Sequence, residues 1–220
     1  MSGNVDEMRR KTDGAIRTVM LICIPSAFGL AALGEPILDL LSWNTNKVAP
    51  QLFLIGSAAV VFYGLSTLTN GILQGIDKMK IPVRNAVISL AAHLAVLVVL
   101  VQFFDLHIYG VVISYMFFAA LMCILNGLAI RKYLDYHQEI FRTFLIPCVA
   151  SLIMGLSVWL LHSPFEKLMG NKPATLLCLV LAVLIYAFFI LLLHGVTEEE
   201  LLAFPKGRFL VKALKKIRLL

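Results

Sequence analysis

"NGILQGIDKMKIPVRNAV", residues 70–87, carries Asn70, Gln74, Asp77, Lys78, Lys80, Arg84 and Asn85 between two long apolar runs. It is either a plain connection between membrane helices or part of a path for something polar, and the flanking blocks are the first guide. About 20 apolar residues cross the hydrocarbon core of a bilayer as a helix. Six segments reach or approach that length: 18–41, 51–75, 81–104, 107–130, 144–161 and 174–195. The connections between them are too short for a soluble domain. Of the 220 residues 60% are hydrophobic and 15% charged, with a mean hydropathy of +0.90. A soluble domain has about 45–50% and about 25% respectively. The expected fold is therefore all-α, a polytopic transmembrane bundle of six spans.

Charge placement tests this independently, because Lys and Arg in short loops stay on the cytoplasmic side. One side collects Arg9, Arg10, Lys11 and Arg17, then Lys78, Lys80 and Arg84, then Arg131, Lys132 and Arg142, then the basic tail. The other side receives only Lys47, Lys167 and Lys172, so the 19 basic residues divide 16 to 3 without a violation of alternation. Both termini are expected in the cytoplasm. The net charge of +6 follows from topology and does not point to nucleic acid. Residues 1–16 are polar with mixed charge, unlike a signal peptide. Cys23, Cys123, Cys148 and Cys178 all fall inside spans, without CxxC or Cys/His ligand spacing, and read as buried structural thiols.

The first span contains Pro25 and Pro36, and a kink is expected near Pro25 because proline removes a backbone donor. Glu35 and Asp39, one turn apart at its outer end, read as solvated. In the second span Tyr63, Ser66, Thr67, Asn70 and Gln74 share one face at 100° per residue. In the third, Asn85, Ser89 and His93 repeat at i, i+4, i+8, and the fourth adds Tyr115 and Asn126. Polar side chains facing lipid are costly, so these faces look inward. They line a hydrophilic cavity or they hydrogen-bond neighbouring helices, at about 0.6 kcal/mol per contact. The five-membered stripe favours a cavity for the second span; for the third and fourth spans taken alone, and for His93, a structural role is favoured.

The last two spans differ. Residues 144–161 offer only Cys148, Ser151 and Gly155, the last two at small-xxx-small spacing, and 174–195 are almost uniformly apolar. They read as an accessory pair that packs by close approach. Trp43, Tyr109 and Trp159 fall near the outer boundary, as interface anchors. Thr197 and Glu200 have capping-box spacing. Beyond Pro205 and Gly207, Arg208, Lys212, Lys215, Lys216 and Arg218 lie opposite an apolar face, a basic amphipathic helix suited to anionic lipid. The domains expected are a cytoplasmic segment 1–17, four spans in 18–130, a cytoplasmic loop 131–143, the pair 144–195 and the tail 196–220. No HExxH, GxSxG, Walker A or GxGxxG occurs and no acid pair sits at depth in a span, so neither enzyme, cofactor nor metal is expected.

"IRTVMLICIPSAFGLAALGEPILDLL", "YGLSTLTNGILQGIDKMKIPVRNAVI" and "YGVVISYMFFAALMCILNGLAIRKYL" resemble the C-terminal part of polysaccharide-biosynthesis membrane proteins. These are the stage V sporulation protein B and MurJ-type lipid II flippases of the multidrug/oligosaccharidyl-lipid/polysaccharide exporter superfamily. NGxLQGxxKMxxPVxNA is the most specific piece. The resemblance implies a multi-pass protein of the bacterial plasma membrane that moves a lipid-linked saccharide outward by alternating access between two lobes. It implies four spans of the second lobe plus an accessory pair, with membrane lipid and the saccharide lipid as partners. A first lobe, on another chain or upstream, would complete it, and no diphosphate-binding residue carries over. Arg84 matches the loop pattern, with a topological role. Two other readings stand beside it: a cation-coupled drug exporter of the same superfamily, and a membrane assembly protein that transports nothing.

Overall fold

The computed structural model describes residues 2–41, 48–136 and 138–196. They form six helices, each long and apolar enough to cross a membrane: α1 (Ser2–Leu40), α2 (Val48–Gly75), α3 (Lys80–Gln102), α4 (His107–Leu134), α5 (Ile146–Met169) and α6 (Asn171–Leu192). Among the described residues there is no strand. Several helices outrun the apolar blocks, because polar residues at the ends keep helical hydrogen bonding without needing hydrocarbon around them. Thus α1 already begins at Ser2, α4 extends to Leu134, and α5 extends to Met169. Trp43, Lys47 and the tail from Thr197 lie outside the described residues.

The opening stretch resolves into a tight hairpin. Asp77 adopts a left-handed φ of 58°, the Lys78 N–H returns to the Leu73 carbonyl at 2.9 Å, and the Asp77 N–H to that of Gln74 at 3.0 Å. This paired closure ends a helix by satisfying its last carbonyls. Pro82 then lies in the first turn of α3, where a missing N–H costs nothing.

α1 is the spine. Its first half supplies Ile16, Met20 and Ile24, all at most 2% exposed, to a cluster with Leu73 of α2 and Ala129, Ile130 and Leu134 of α4. Its second half places Leu33 against Met154 and Val158 of α5 and Cys178 and Ala182 of α6. α2 packs between α1 and α4, while α3 packs chiefly on α4, and α5 and α6 pair with each other against α1. Gly155 lets α5 approach closely: a Cβ there would sit 3.5 Å from the Phe28 carbonyl oxygen. At the end of the bundle that holds the 76–79 turn, Arg9 Nε donates to the Leu134 carbonyl at 2.6 Å and its Nη2 pairs with Asp135 at 3.2 Å. Tyr136 donates to Asp13 at 2.7 Å. Burial, and then that carboxylate, push the Tyr136 phenol above its ordinary range, so it remains a donor at neutral pH. Arg17, 5% exposed, donates from Nη2 to the Gly195 carbonyl beyond α6 at 2.8 Å.

The kink differs from expectation. The one residue of α1 with non-helical angles is Leu33 (φ −114°, ψ 16°), three residues before Pro36, and the helix runs through Pro25 unbroken. The reason lies in α6. Pro25 cannot bond the Leu21 carbonyl, and the Tyr186 hydroxyl donates to it instead at 2.9 Å. With its lost bond replaced, the helix has no need to open there.

Two outcomes follow. Tyr186→Phe should destabilise the protein by about 1–2 kcal/mol, the cost of a buried orphan acceptor. In a Pro25→Ala background the same change should cost well under half of that, because residue 25 regains its own donor; reversible unfolding in detergent reads the cycle. Gly155→Leu should separate α5 from α1 and lower the unfolding temperature, whereas Gly155→Ala should be near neutral.

Candidate functional site

The polar residues of α2, α3 and α4 converge on Asn126. Its Nδ2 donates to Asn70 Oδ1 at 2.7 Å and approaches Thr69 Oγ1 at 3.2 Å, and its Oδ1 accepts from Asn85 Nδ2 at 2.9 Å. Asn126 is fully buried, Asn85 is 1% exposed, and Thr69 donates onward to the Leu65 carbonyl at 2.8 Å. Three helices are thus held by one amide, at the end of the bundle near the 76–79 turn. Asn85 faces α4 because α3 touches little else. Asn70 faces the same point because α2 and α3 flank α4.

About two turns further along, the second group is aromatic. Tyr63 and Tyr115 rings lie 5.0 Å apart, and His93 meets Tyr115 and Phe118 edge-on at 6.3 and 6.1 Å. His93 Nδ1 is buried with no hydrogen-bond partner among the described residues, as is the Ser89 hydroxyl one turn away. Tyr63 and Tyr115 also border an open hollow of about 620 Å³ with Cys23, Val60, Gly64 and Val112. The asparagine group is mostly buried, with Asn70 half-buried at its edge, and the tyrosine group borders an open hollow.

The eight sequence-selected residues therefore separate. Asn70 and Asn85 join the clasp, and Tyr63 and His93 join the aromatic group. Ser66 is buried and bonds its own helix, at Tyr63 O, at 3.0 Å. Ser89 is buried on the α3 face. Thr67 and Gln74 are exposed and belong to neither group. Thr69 escaped the sequence reading, although it directly precedes Asn70 and follows Ser66 by three, the spacing of one helix face. Arg208, Lys212, Lys215, Lys216 and Arg218 lie outside the described residues.

At the opposite end, Asp39 accepts from Asn171 Nδ2 at 3.3 Å, and His162 Nε2 meets Thr175 Oγ1 at 3.1 Å. Glu35 borders a hollow of about 500 Å³ with Gln51, Trp159 and His162. Among the described residues no group of His, Cys, Asp and Glu has the arrangement of a metal site. The clasp itself contains only amides and a hydroxyl. It can exchange hydrogen bonds with a polar ligand or fix the helices, but it cannot carry acid–base chemistry at neutral pH.

Residues 1–178 match the family Lipid II flippase MurJ. A curated relative, Lipid II flippase MurJ of Bacillus subtilis (strain 168), is 24% identical over 191 residues, covering 82% of this chain and 34% of the relative. The chain thus spans about a third of the length of the curated relative it matches. No solved structure matches it significantly. The family match runs from the first residue through all of α1 to α5 into α6: the chain belongs to the Lipid II flippase MurJ family.

Proposed function

We propose that the chain works as the C-terminal part of a flippase for a lipid-linked saccharide, a peptidoglycan precursor or related polysaccharide carrier, in the bacterial plasma membrane. The observation that carries this is the family match over residues 1–178. In this reading both termini and the 76–79 turn face the cytoplasm, consistent with the 16-to-3 division of basic residues. The role is transport, not catalysis. A first lobe, upstream or on a partner chain, completes the cleft, and residues 196–220 rest on anionic lipid.

Within that role the polar residues have two jobs. Asn126, Asn85, Asn70 and Thr69 are spent on one another, so they fix the relative positions of α2, α3 and α4. Tyr63, Thr67 and Gln74 keep accessible polar surface on α2 and line the substrate path. The second job is what alternating access needs, a face that presents hydrogen-bonding groups to a headgroup without closing on itself.

The two jobs predict different failures in cells whose outward lipid-linked saccharide transport depends on this chain. Asn126→Leu leaves Asn70 and Asn85 without their shared partner and should lower the yield of folded protein, at about 1–2 kcal/mol for two membrane hydrogen bonds. Thr67→Leu with Gln74→Leu should leave that yield unchanged and slow transport about tenfold, equivalent to ~1.4 kcal/mol. Unchanged transport in a well-folded double variant would sink the proposed path along α2.

A further inference from the structure

The largest hollow described, about 680 Å³, is distinct from the tyrosine group and touches the clasp only at Thr69. It opens at the cytoplasm-assigned end, between α4, residues Tyr136, Gln138 and Ile140, and the π-turn Phe141–Leu145 that leads into α5. Its walls are apolar: Ile124 and Leu128 from α4, Ile140 and Phe144 from the α5 side. Ile124, Leu128 and Ile140 are 58%, 58% and 70% exposed. Its polar residues include Arg131 and Gln138.

Several nearby charges are matched: Arg9 with Asp135, Arg142 with Glu139 at 3.8 Å, and Asp13 with the Tyr136 hydroxyl. Arg131 has no carboxylate partner among the described residues. Gln138 Oε1 lies 3.2 Å from the Tyr136 hydroxyl, but its Nε2 is buried with no acceptor among the described residues. A guanidinium and an amide donor without acceptors, above an apolar trough at the depth of a membrane interface, are complementary to one class of molecule. It carries a phosphate at that level and an acyl chain below it.

We propose that this hollow is a binding site for an anionic phospholipid of the same leaflet, its phosphate on Arg131 and Gln138 and one acyl chain along Leu128 and Phe144. The charged residue in its lining is Arg131, a cation, so the hollow disfavours a cationic headgroup. Since the hollow spans α1, α2, α4 and the start of α5, a lipid seated there bridges the four-helix part of the bundle and the α5–α6 pair. It is separate from the path proposed for the transported saccharide lipid.

Native mass spectrometry of the delipidated full chain tests this, with dioleoyl phosphatidylglycerol, dioleoyl phosphatidylcholine and glycerol 3-phosphate as probes. Phosphatidylglycerol should bind as a first tight adduct, weakened about fivefold in Arg131→Gln, the ~1 kcal/mol that a basic residue contributes at an anionic surface. Arg10→Gln, an exposed cation elsewhere, should leave that adduct unchanged. Leu128→Trp, which fills the trough, should weaken it while leaving phosphatidylcholine adducts as they were. Equal weakening by Arg10→Gln and Arg131→Gln would reduce the effect to general surface charge and overturn the site. So would an unaffected adduct in Arg131→Gln, a variant altered only at an exposed side chain. Displacement of the lipid by glycerol 3-phosphate at equal concentration would show that the apolar trough is not occupied, and would likewise overturn it.

Discussion

In hydrocarbon a backbone carbonyl has no water to turn to, so each one must find a partner inside the protein. At Pro25 the sequence removes the usual partner of the Leu21 carbonyl, and the arrangement of the whole second half answers that vacancy. Tyr186 reaches it from α6, which fixes the rotation and depth of α6 against α1. With α6 seated, Cys178 and Ala182 meet Leu33, and α5 is drawn onto the Phe28 backbone through Gly155. The Arg17 bond to Gly195 then closes the other end of the same pair. α1 bends at Leu33, ahead of Pro36.

The first half is governed by side-chain polarity. A single buried amide, Asn126, satisfies groups from α2 and α3 at once. Lipid gives helices no hydrophobic reason to associate, so such bonds and close approach do the work that burial does in water. The two halves thus rest on different forces, and both rest on α1, whose opposite ends enter the two apolar clusters.

Much of this was legible in the sequence, because block length and charge alternation depend only on composition along the chain. The six spans follow from block length alone, while the polar stripes needed the helical period as well. The position of the α1 kink did not, since it depends on whether another helix supplies a hydroxyl, and Tyr186 lies 165 residues away in a segment otherwise uniformly apolar. Nor did the division of the α2 stripe. Periodicity places Thr67 beside Asn70, but only the neighbouring helix decides that Asn70 is engaged and Thr67 open. Thr69 was missed for the same reason. A threonine in a span usually bonds its own helix, and here it does so while also meeting Asn126.

The dependence of α3 on α4 bears on how the protein is made. During synthesis α3 emerges before α4 exists, and α2 offers it little contact. Asn85 and Ser89 would then face lipid alone, against the cost of polar groups in hydrocarbon. The partner of Asn85, Asn126, is synthesised only near the end of the next span. α3 therefore gains the partner for its Asn85 only once α4 has been made.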